Sequence, residues 1–401
     1  MTPSRSLFTG PAARITLAMS AWFGAWGVTL PFLPRWLEAE RGLTGAEIGA
    51  VLAAAQMMRI FFGPALAAWA DGFADRRTAF RIMSLATLAA YALFFFTAHG
   101  FLALFFLGFA AMTAAQTLGP LIESAALRAS QRAGEIPFGV ARGIGSLAYI
   151  LGNIGGGALI AAIGLIGVPL WTLGFLVISN IAAWFLLAPD PAPADRGGFR
   201  LRIKSGLELA RTPRFLLLLF GAGFILSAHA FYYGFSTIIW RKQGIAADVI
   251  GYLWAIGVVF EVLLLFALPR IERWFGPGML ILIGAAAGIV RWIGLSFAPV
   301  NWLLWPLQAL HALTFSPVHV GVLHFIQRNA PDAQSVFIQT LYASLHGGLL
   351  IGSAMLASGW LYDHVGAQGY WAMAALNVLG GALIVALVLK DKNAPRLREA
   401  R

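Results

Sequence analysis

The sequence contains no cysteine. Disulfides and thiolate metal sites are excluded with it. Charge is scarce as well: Asp, Glu, Lys and Arg together make up 11% of the 401 residues, and only 17 are acidic. A soluble domain of this length carries about twice that share. No His-Glu-x-x-His occurs and the acids do not cluster, so no metal centre is expected. Gly155-Gly156-Gly157 and similar runs lie inside apolar stretches, not after a strand, which excludes a phosphate cradle. No nucleophile–base pair is legible. Neither an enzyme nor a cofactor is expected.

What the chain has in abundance is apolar sequence. Hydrophobic residues make up 59%, and the mean hydropathy is +0.78. Twelve apolar segments can be drawn, at roughly 14–36, 46–70, 78–98, 101–127, 138–162, 167–188, 214–238, 248–268, 278–298, 301–326, 335–359 and 367–389. Each approaches the ~20 residues that span a bilayer as helix. Barrel strands would alternate in polarity, so the class is an all-α membrane protein. Arg5 and Arg14 precede the first segment without a small-residue cleavage site, and that span is read as retained. The longest polar stretch, 189–213, is rich in proline and base and separates six spans from six. The expected organisation is a six-helix bundle over 1–188, a cytoplasmic linker over 189–213 and a second six-helix bundle over 214–401.

The net charge of +11 is not a nucleic-acid signature, because its placement follows the membrane. With both termini inside, inner loops and tails hold 21 of the 28 Lys and Arg residues, and outer loops hold only Arg35, Arg41, Arg241 and Lys242. That asymmetry places both ends in the cytoplasm. The remaining three, Arg59, Arg142 and Arg291, lie within spans.

The two halves look repeated. Ile48-Gly49 lies eleven residues before Arg59, with Ala65-Leu66 beyond it; Ile250-Gly251 lies eleven residues before Glu261, with Ala267-Leu268 beyond it. The offset is 202 residues. Trp22, Trp26 and Thr29 in span one match His229, Tyr233 and Ser236 in span seven, both at i, i+4, i+7, which is one helix face. Phe95 is expected to face lipid. Gly152/Gly156 and Gly348/Gly352 read as close helix packing.

Only two acids, Glu123 and Glu261, lie inside spans. An ionisable group there costs at least ~2.5 kcal/mol, so it has a partner and commonly a function. Glu261, Arg59 and Arg291 lie near mid-depth. Glu123 and Arg142 lie at matching depth in antiparallel neighbours, which allows them to pair. His229 and His311 sit mid-span, either as hydrogen-bonded core residues or as proton relays.

These residues resemble the major facilitator superfamily. The sharpest likeness is to its phenylpropionate permease group, more distantly to lactose permease. It runs through Ser227-Ala228-His229-Ala230-Phe231-Tyr232-Tyr233-Gly234-Phe235-Ser236, Gly251-Tyr252-Leu253-Trp254, Val258-Val259-Phe260-Glu261-Val262, Val290-Arg291-Trp292 and Leu307-Gln308-Ala309-Leu310-His311. Phe138-Gly139-Val140-Ala141-Arg142 resembles the stretch holding the substrate-binding arginine of lactose permease. The resemblance implies two pseudo-symmetric six-helix bundles and proton symport by alternating access in a bacterial inner membrane. It implies proton coupling by Glu261, Glu123, His311 and Arg291. The implied substrate site is Arg142 and Arg59 with His229, Tyr232, Tyr233, Trp22 and Trp26. Asp71, Asp75 and Arg76 loosely follow the superfamily's loop after span two and are expected to gate. One departure matters: a glutamate of lactose permease, three residues after the span-ten histidine, is Thr314 here. Glu261 is therefore expected to carry the proton, paired with Arg59 or Arg291. Three buried arginines against two acids favour an organic anion, with an aromatic acid first. A sugar or nucleoside symporter is the alternative, and a non-transporting receptor or a lipid-processing membrane enzyme the reading from another class. The expected partners are a small-molecule substrate, protons and the bilayer, with the chain working as a monomer and without nucleic acid.

Overall fold

The computed structural model describes residues 10–70, 72–132, 135–190 and 207–393. Asp71 of the expected gating loop and most of the 189–213 linker lie outside the described residues. Among the described residues the regular elements are helical. Eleven stretches are long and apolar enough to cross a membrane. The last of them, Phe337–Lys390, is 54 residues long and turns at Gly366, where φ is +56°. One crossing takes about 20 residues, so this stretch is long enough for two.

The first half contains α1 (Pro11–Arg41), α2 (Gly45–Ala70), α3 (Arg76–Phe96), α4 (Gly100–Ser130), α5 (Phe138–Ile163) and α6 (Gly167–Ile181), the last running into a π turn at Ala182–Leu186. The second half contains α7 (Pro213–Ser227), α8 (His229–Lys242), α9 (Ala247–Ile271), α10 (Pro277–Ser296), α11 (Leu304–Ala309), α12 (His311–Asn329), α13 (Asp332–Ser344), α14 (Ile351–Val365) and α15 (Tyr370–Asn393). Local chemistry sets the ends. Gly42 takes φ 68° and returns its amide to Glu38 O, which stops α1. Thr44 and Glu47 then form a reciprocal capping box for α2, with Thr44 N on Glu47 Oε2 at 2.9 Å.

Lipid tails are as apolar as leucine, so helices in a membrane associate by close packing more than by the hydrophobic effect. Glycine makes that approach possible. A Cβ on Gly27 would lie 2.6 Å from Tyr149 O, and one on Gly152 2.8 Å from Gly24 O, so α1 and α5 meet backbone to backbone. Phe95, expected to face lipid, is 1% exposed and packs its ring 5.0 Å from Trp36. The aromatic on the outside of that region is Phe96, at 56%. The expectation failed because hydropathy does not give rotation about a helix axis.

Contacts divide the chain into two compact units. One is Met1–Asp195 with Tyr233–Ile256 and Met355–His364; the other is Arg196–Tyr232, Gly257–Ala354 and Val365–Arg401. The two short segments of the first unit belong by chain order to the second half and by contact to the first. Their contacts repeat with the same offset as the sequence. A Cβ on Gly49 would lie 2.8 Å from Met355 O and 3.1 Å from Gly359 Cα. One on Gly157 would lie 2.7 Å from Ala247 O and 3.1 Å from Gly251 Cα. Gly49 and Gly251 are 202 residues apart, as are Gly157 and Gly359. The two glycine contacts are therefore repeat images. Beside them, the Asp363 carboxylate accepts from Gly45 N at 2.7 Å and Ala46 N at 2.8 Å, and Lys242 Nζ reaches Glu38 at 2.8 Å.

At the opposite helix ends a second network ties α3, α4 and the residues after α6. Asp75 caps α3 through Arg77 N at 2.9 Å and also accepts from Asp190 N at 3.1 Å. Arg76 N donates to Asp190 O at 3.0 Å, and Arg128 Nε donates to the Asp190 carboxylate at 3.1 Å. Burial works against the Asp75 charge, but the bonds from Asp190 and Arg77 outweigh it and hold the carboxyl below its usual range. A depressed carboxylate contributes stability above its unfolded pKa of about 3.9 and loses it only as pH falls through the lower folded value. This loop therefore does not sense pH near neutrality.

Candidate functional site

The ionisable side chains expected inside spans fall into two clusters, one in each compact unit. In the first, Arg142 of α5 places Nε 3.3 Å from Glu123 Oε1 of α4, with the side chains 41% and 42% exposed. Pairs this exposed are worth at most about 1 kcal/mol, so another carboxylate can displace Glu123. The Arg142 guanidinium also lies 4.4 Å over the Phe23 ring. Trp22 meets Phe23 edge-on at 4.8 Å and Trp26 at 5.8 Å, and Trp22 Nε1 donates to Ala115 O. Arg59 lines a cavity of about 80 Å³ with Thr113, Gln116 and Thr117. Glu123 also acts on Arg59 electrostatically. One carboxylate thus serves two guanidiniums, and Arg142 presents a planar, forked donor beside aromatic rings.

The second cluster is built on interrupted backbone. α7 gives way to α8 at Ala228, and α11 to α12 at Leu310. His229 and His311 are the first residues after the breaks. His311 Nδ1 lies 3.1 Å from Arg291 Nη1. A guanidinium only donates, so Nδ1 accepts and the ring proton sits on Nε2. Nε2 faces Glu261 Oε2 at 3.9 Å, while Ser316 donates to Glu261 Oε1 at 3.2 Å. Arg291 is 0% exposed. It donates to Leu307 O at 2.9 Å and Gln308 Oε1 at 3.2 Å, and lies 4.5 Å over the Tyr232 ring. Tyr232 donates to the same Gln308 oxygen at 2.9 Å. His229 Nδ1 donates to Leu226 O, which leaves Nε2 to accept from Thr314 at 3.0 Å. The Thr314 hydroxyl therefore bridges His229 and, at 3.4 Å, Arg291.

The structure brings together Arg59, Glu123, Arg142, Trp22 and Trp26 in one unit and Glu261, His311, Arg291, His229 and Tyr232 in the other. His311 links Arg291 to Glu261, with Nδ1 on the guanidinium and Nε2 facing the carboxylate. Tyr233 stacks on Trp254 at 6.2 Å, whose indole donates to Thr237. From α8, His229 and Tyr232 both join the buried network. Gln308 and Ser316 went unread as site residues. Gln308 had a signal: a polar residue three before His311 shares its face and has no reason to sit in an apolar run.

The model of the MFS_1 like family matches residues 16–373. A probable 3-phenylpropionic acid transporter of Escherichia coli is 31% identical over 370 residues, covering 90% of this chain and 93% of that protein. The maltose permease of Geobacillus stearothermophilus is 25% identical over 391 residues, covering 95% and 96%. Among solved structures, the nucleoside transporter NupG superposes with a TM-score of 0.81 at 17% identity, covering 94% of this chain and 98% of that one. At that identity the likeness speaks for the fold alone. Matched over most of its length by family model and relatives alike, the chain belongs to the MFS_1 like family and is a transporter of the major facilitator superfamily resembling the phenylpropionate permease.

Proposed function

We propose that the protein is a proton-coupled symporter of a small organic anion, an aromatic acid of the phenylpropionate kind. It works by alternating access as a monomer in a bacterial inner membrane, with both termini cytoplasmic. The observation that carries this reading is the chain from fully buried Arg291 through His311 to Glu261. With Glu261 ionised, the fixed charge of Arg291 is balanced across the neutral histidine. Protonating Glu261 removes that balance, and an uncompensated buried charge costs several kcal/mol. An anion arriving with the proton restores neutrality, so the two ligands favour each other. The half-exposed Arg142 is the group assigned to the substrate carboxylate, with Phe23, Trp22 and Trp26 for its ring. The glycine contacts around Gly49 and Gly251 are assigned to the outer end, shut in this conformation.

The test is uptake into proteoliposomes with and without an inward pH gradient. Labelled 3-phenylpropionate should accumulate only with the gradient. Accumulation of lactose or uridine in its place transfers the reading to a sugar or nucleoside symporter, and uptake of none points to a non-transporting receptor. Within this reading Arg142→Lys is expected to weaken substrate binding at least tenfold, about 1.4 kcal/mol, while insertion and folding persist. Lysine keeps the charge but not the planar fork. Titration of the purified variant checks it, and unchanged affinity removes Arg142 from the site.

A further inference from the structure

A second cavity, sharing Pro120 and Leu121 with the one beside Arg59, lies at the end of the first half that the charge distribution assigns to the cytoplasm. It encloses about 380 Å³, within the ~300–1,000 Å³ usual for small-molecule sites. Its rim carries Arg76 and Arg77, which open α3, and Arg128 and Arg132, which close α4. Its wall is apolar, with Ile15, Phe80 and Leu121. Among the described lining residues these four guanidiniums stand beside one acid, Asp190. Asp190 lines the cavity and holds Arg128, and Asp75 holds Arg77 at 3.0 Å. Those bonds fix two of the forks in place. They also leave the site positive overall, so a further anion is favoured there. Basic pockets between helices on the cytoplasmic face bind phospholipid headgroups.

We propose that this cavity is an anion site for a phosphate group carrying an apolar or glyceryl arm. The phosphate sits among Arg76, Arg128 and Arg132, and the arm lies along Ile15, Phe80 and Leu121. An anionic inner-leaflet phospholipid and a soluble phosphate ester share this chemistry. The inference rests on the cytoplasmic assignment of this end and not on the identity of the transported substrate.

The test is the melting temperature of the full-length protein in a neutral detergent, titrated with three probes: dioctanoyl phosphatidylglycerol, dioctanoyl phosphatidylcholine and glycerol 3-phosphate. Phosphatidylglycerol at a hundredfold excess over its Kd should raise Tm by about 3 °C. Phosphatidylcholine, which is neutral overall, should not. A shift by glycerol 3-phosphate as large as that by phosphatidylglycerol supports the site and names a soluble ester as its ligand. Arg132→Gln should abolish the shift and Arg132→Lys should retain part of it. If Arg132→Gln does not fold, Ala125→Phe, which fills the cavity without touching its charge, should abolish the shift in its place. Equal shifts with both lipids, no shift with any probe, or a full shift in the filled and neutralised variants overturns the proposal.

Discussion

Glu261→Gln is expected to abolish uphill uptake driven by a pH gradient while leaving exchange of substrate across the membrane intact. Of the two acids inside spans, Glu261 is the one whose carboxylate is built into a buried network, with Ser316 on one oxygen and His311 facing the other. Glu123 is half exposed and paired with a half-exposed arginine. Glutamine keeps the shape and the Ser316 bond but fixes the neutral state. Transport then no longer requires a proton, and binding should lose its pH dependence. Accumulation should fall to the level of simple equilibration, a loss on the order of a hundredfold if coupling is worth about 2.7 kcal/mol. His311→Gln is the companion variant. It removes the relay between Arg291 and Glu261 and should also uncouple, with weaker folding, because Arg291 loses a buried acceptor. Full gradient-driven accumulation by Glu261→Gln would transfer the proton to Glu123 or His311.

How far the sequence reached differs from residue to residue, for physical reasons. Glu123 and Arg142 were readable as a pair because depth in two antiparallel neighbours follows from counting at 1.5 Å per residue. The 202-residue repeat was readable from Ile48-Gly49 and Ile250-Gly251, and those same glycines make the repeated backbone contacts. Counting gives depth but not rotation. Tyr232 and Tyr233 are equally deep, and only packing shows that Tyr232 turns to Gln308 and Tyr233 to Trp254. The break at Ala228 has no proline or glycine within four residues, so nothing local marked it, and at Leu310 the nearest proline is Pro306, four residues before. Both breaks are tolerated because Leu226 O is taken by His229 and Leu307 O by Arg291. Buried side chains re-satisfy backbone groups that the interruption frees. The site thus pays for its own irregular backbone, which no periodicity argument could reveal.

Gly251→Val is expected to trap the protein with its outer end open and to cut transport on the order of a hundredfold. The nearest groups to a side chain here are the Asn153 carbonyl and Gly157 Cα, both backbone, so no rotamer change relieves the clash. Overpacking of this kind costs about 1–3 kcal/mol, and at 1.4 kcal/mol per tenfold that shifts a two-state equilibrium by roughly five- to 150-fold. The helices keep their own hydrogen bonds, so the cost falls on the closed arrangement and not on folding. Gly49→Val, the repeat image, should behave alike through Met355 O and Gly359. Gly152→Val should not: its contact joins α1 to α5 within the first half, and it should lower melting temperature without changing access. The absence of native cysteine makes the readout clean. Met355, 4% exposed beside Gly49, is replaced by cysteine and challenged from outside with an impermeant maleimide. Labelling should be slow in the parent and at least tenfold faster with Gly251→Val, although residues 251 and 355 belong to different contacts of the repeat. Faster labelling would mean that both contacts break together, as one moving element requires. Unchanged labelling alongside lost transport would show that the glycines serve folding and leave the outer gate elsewhere.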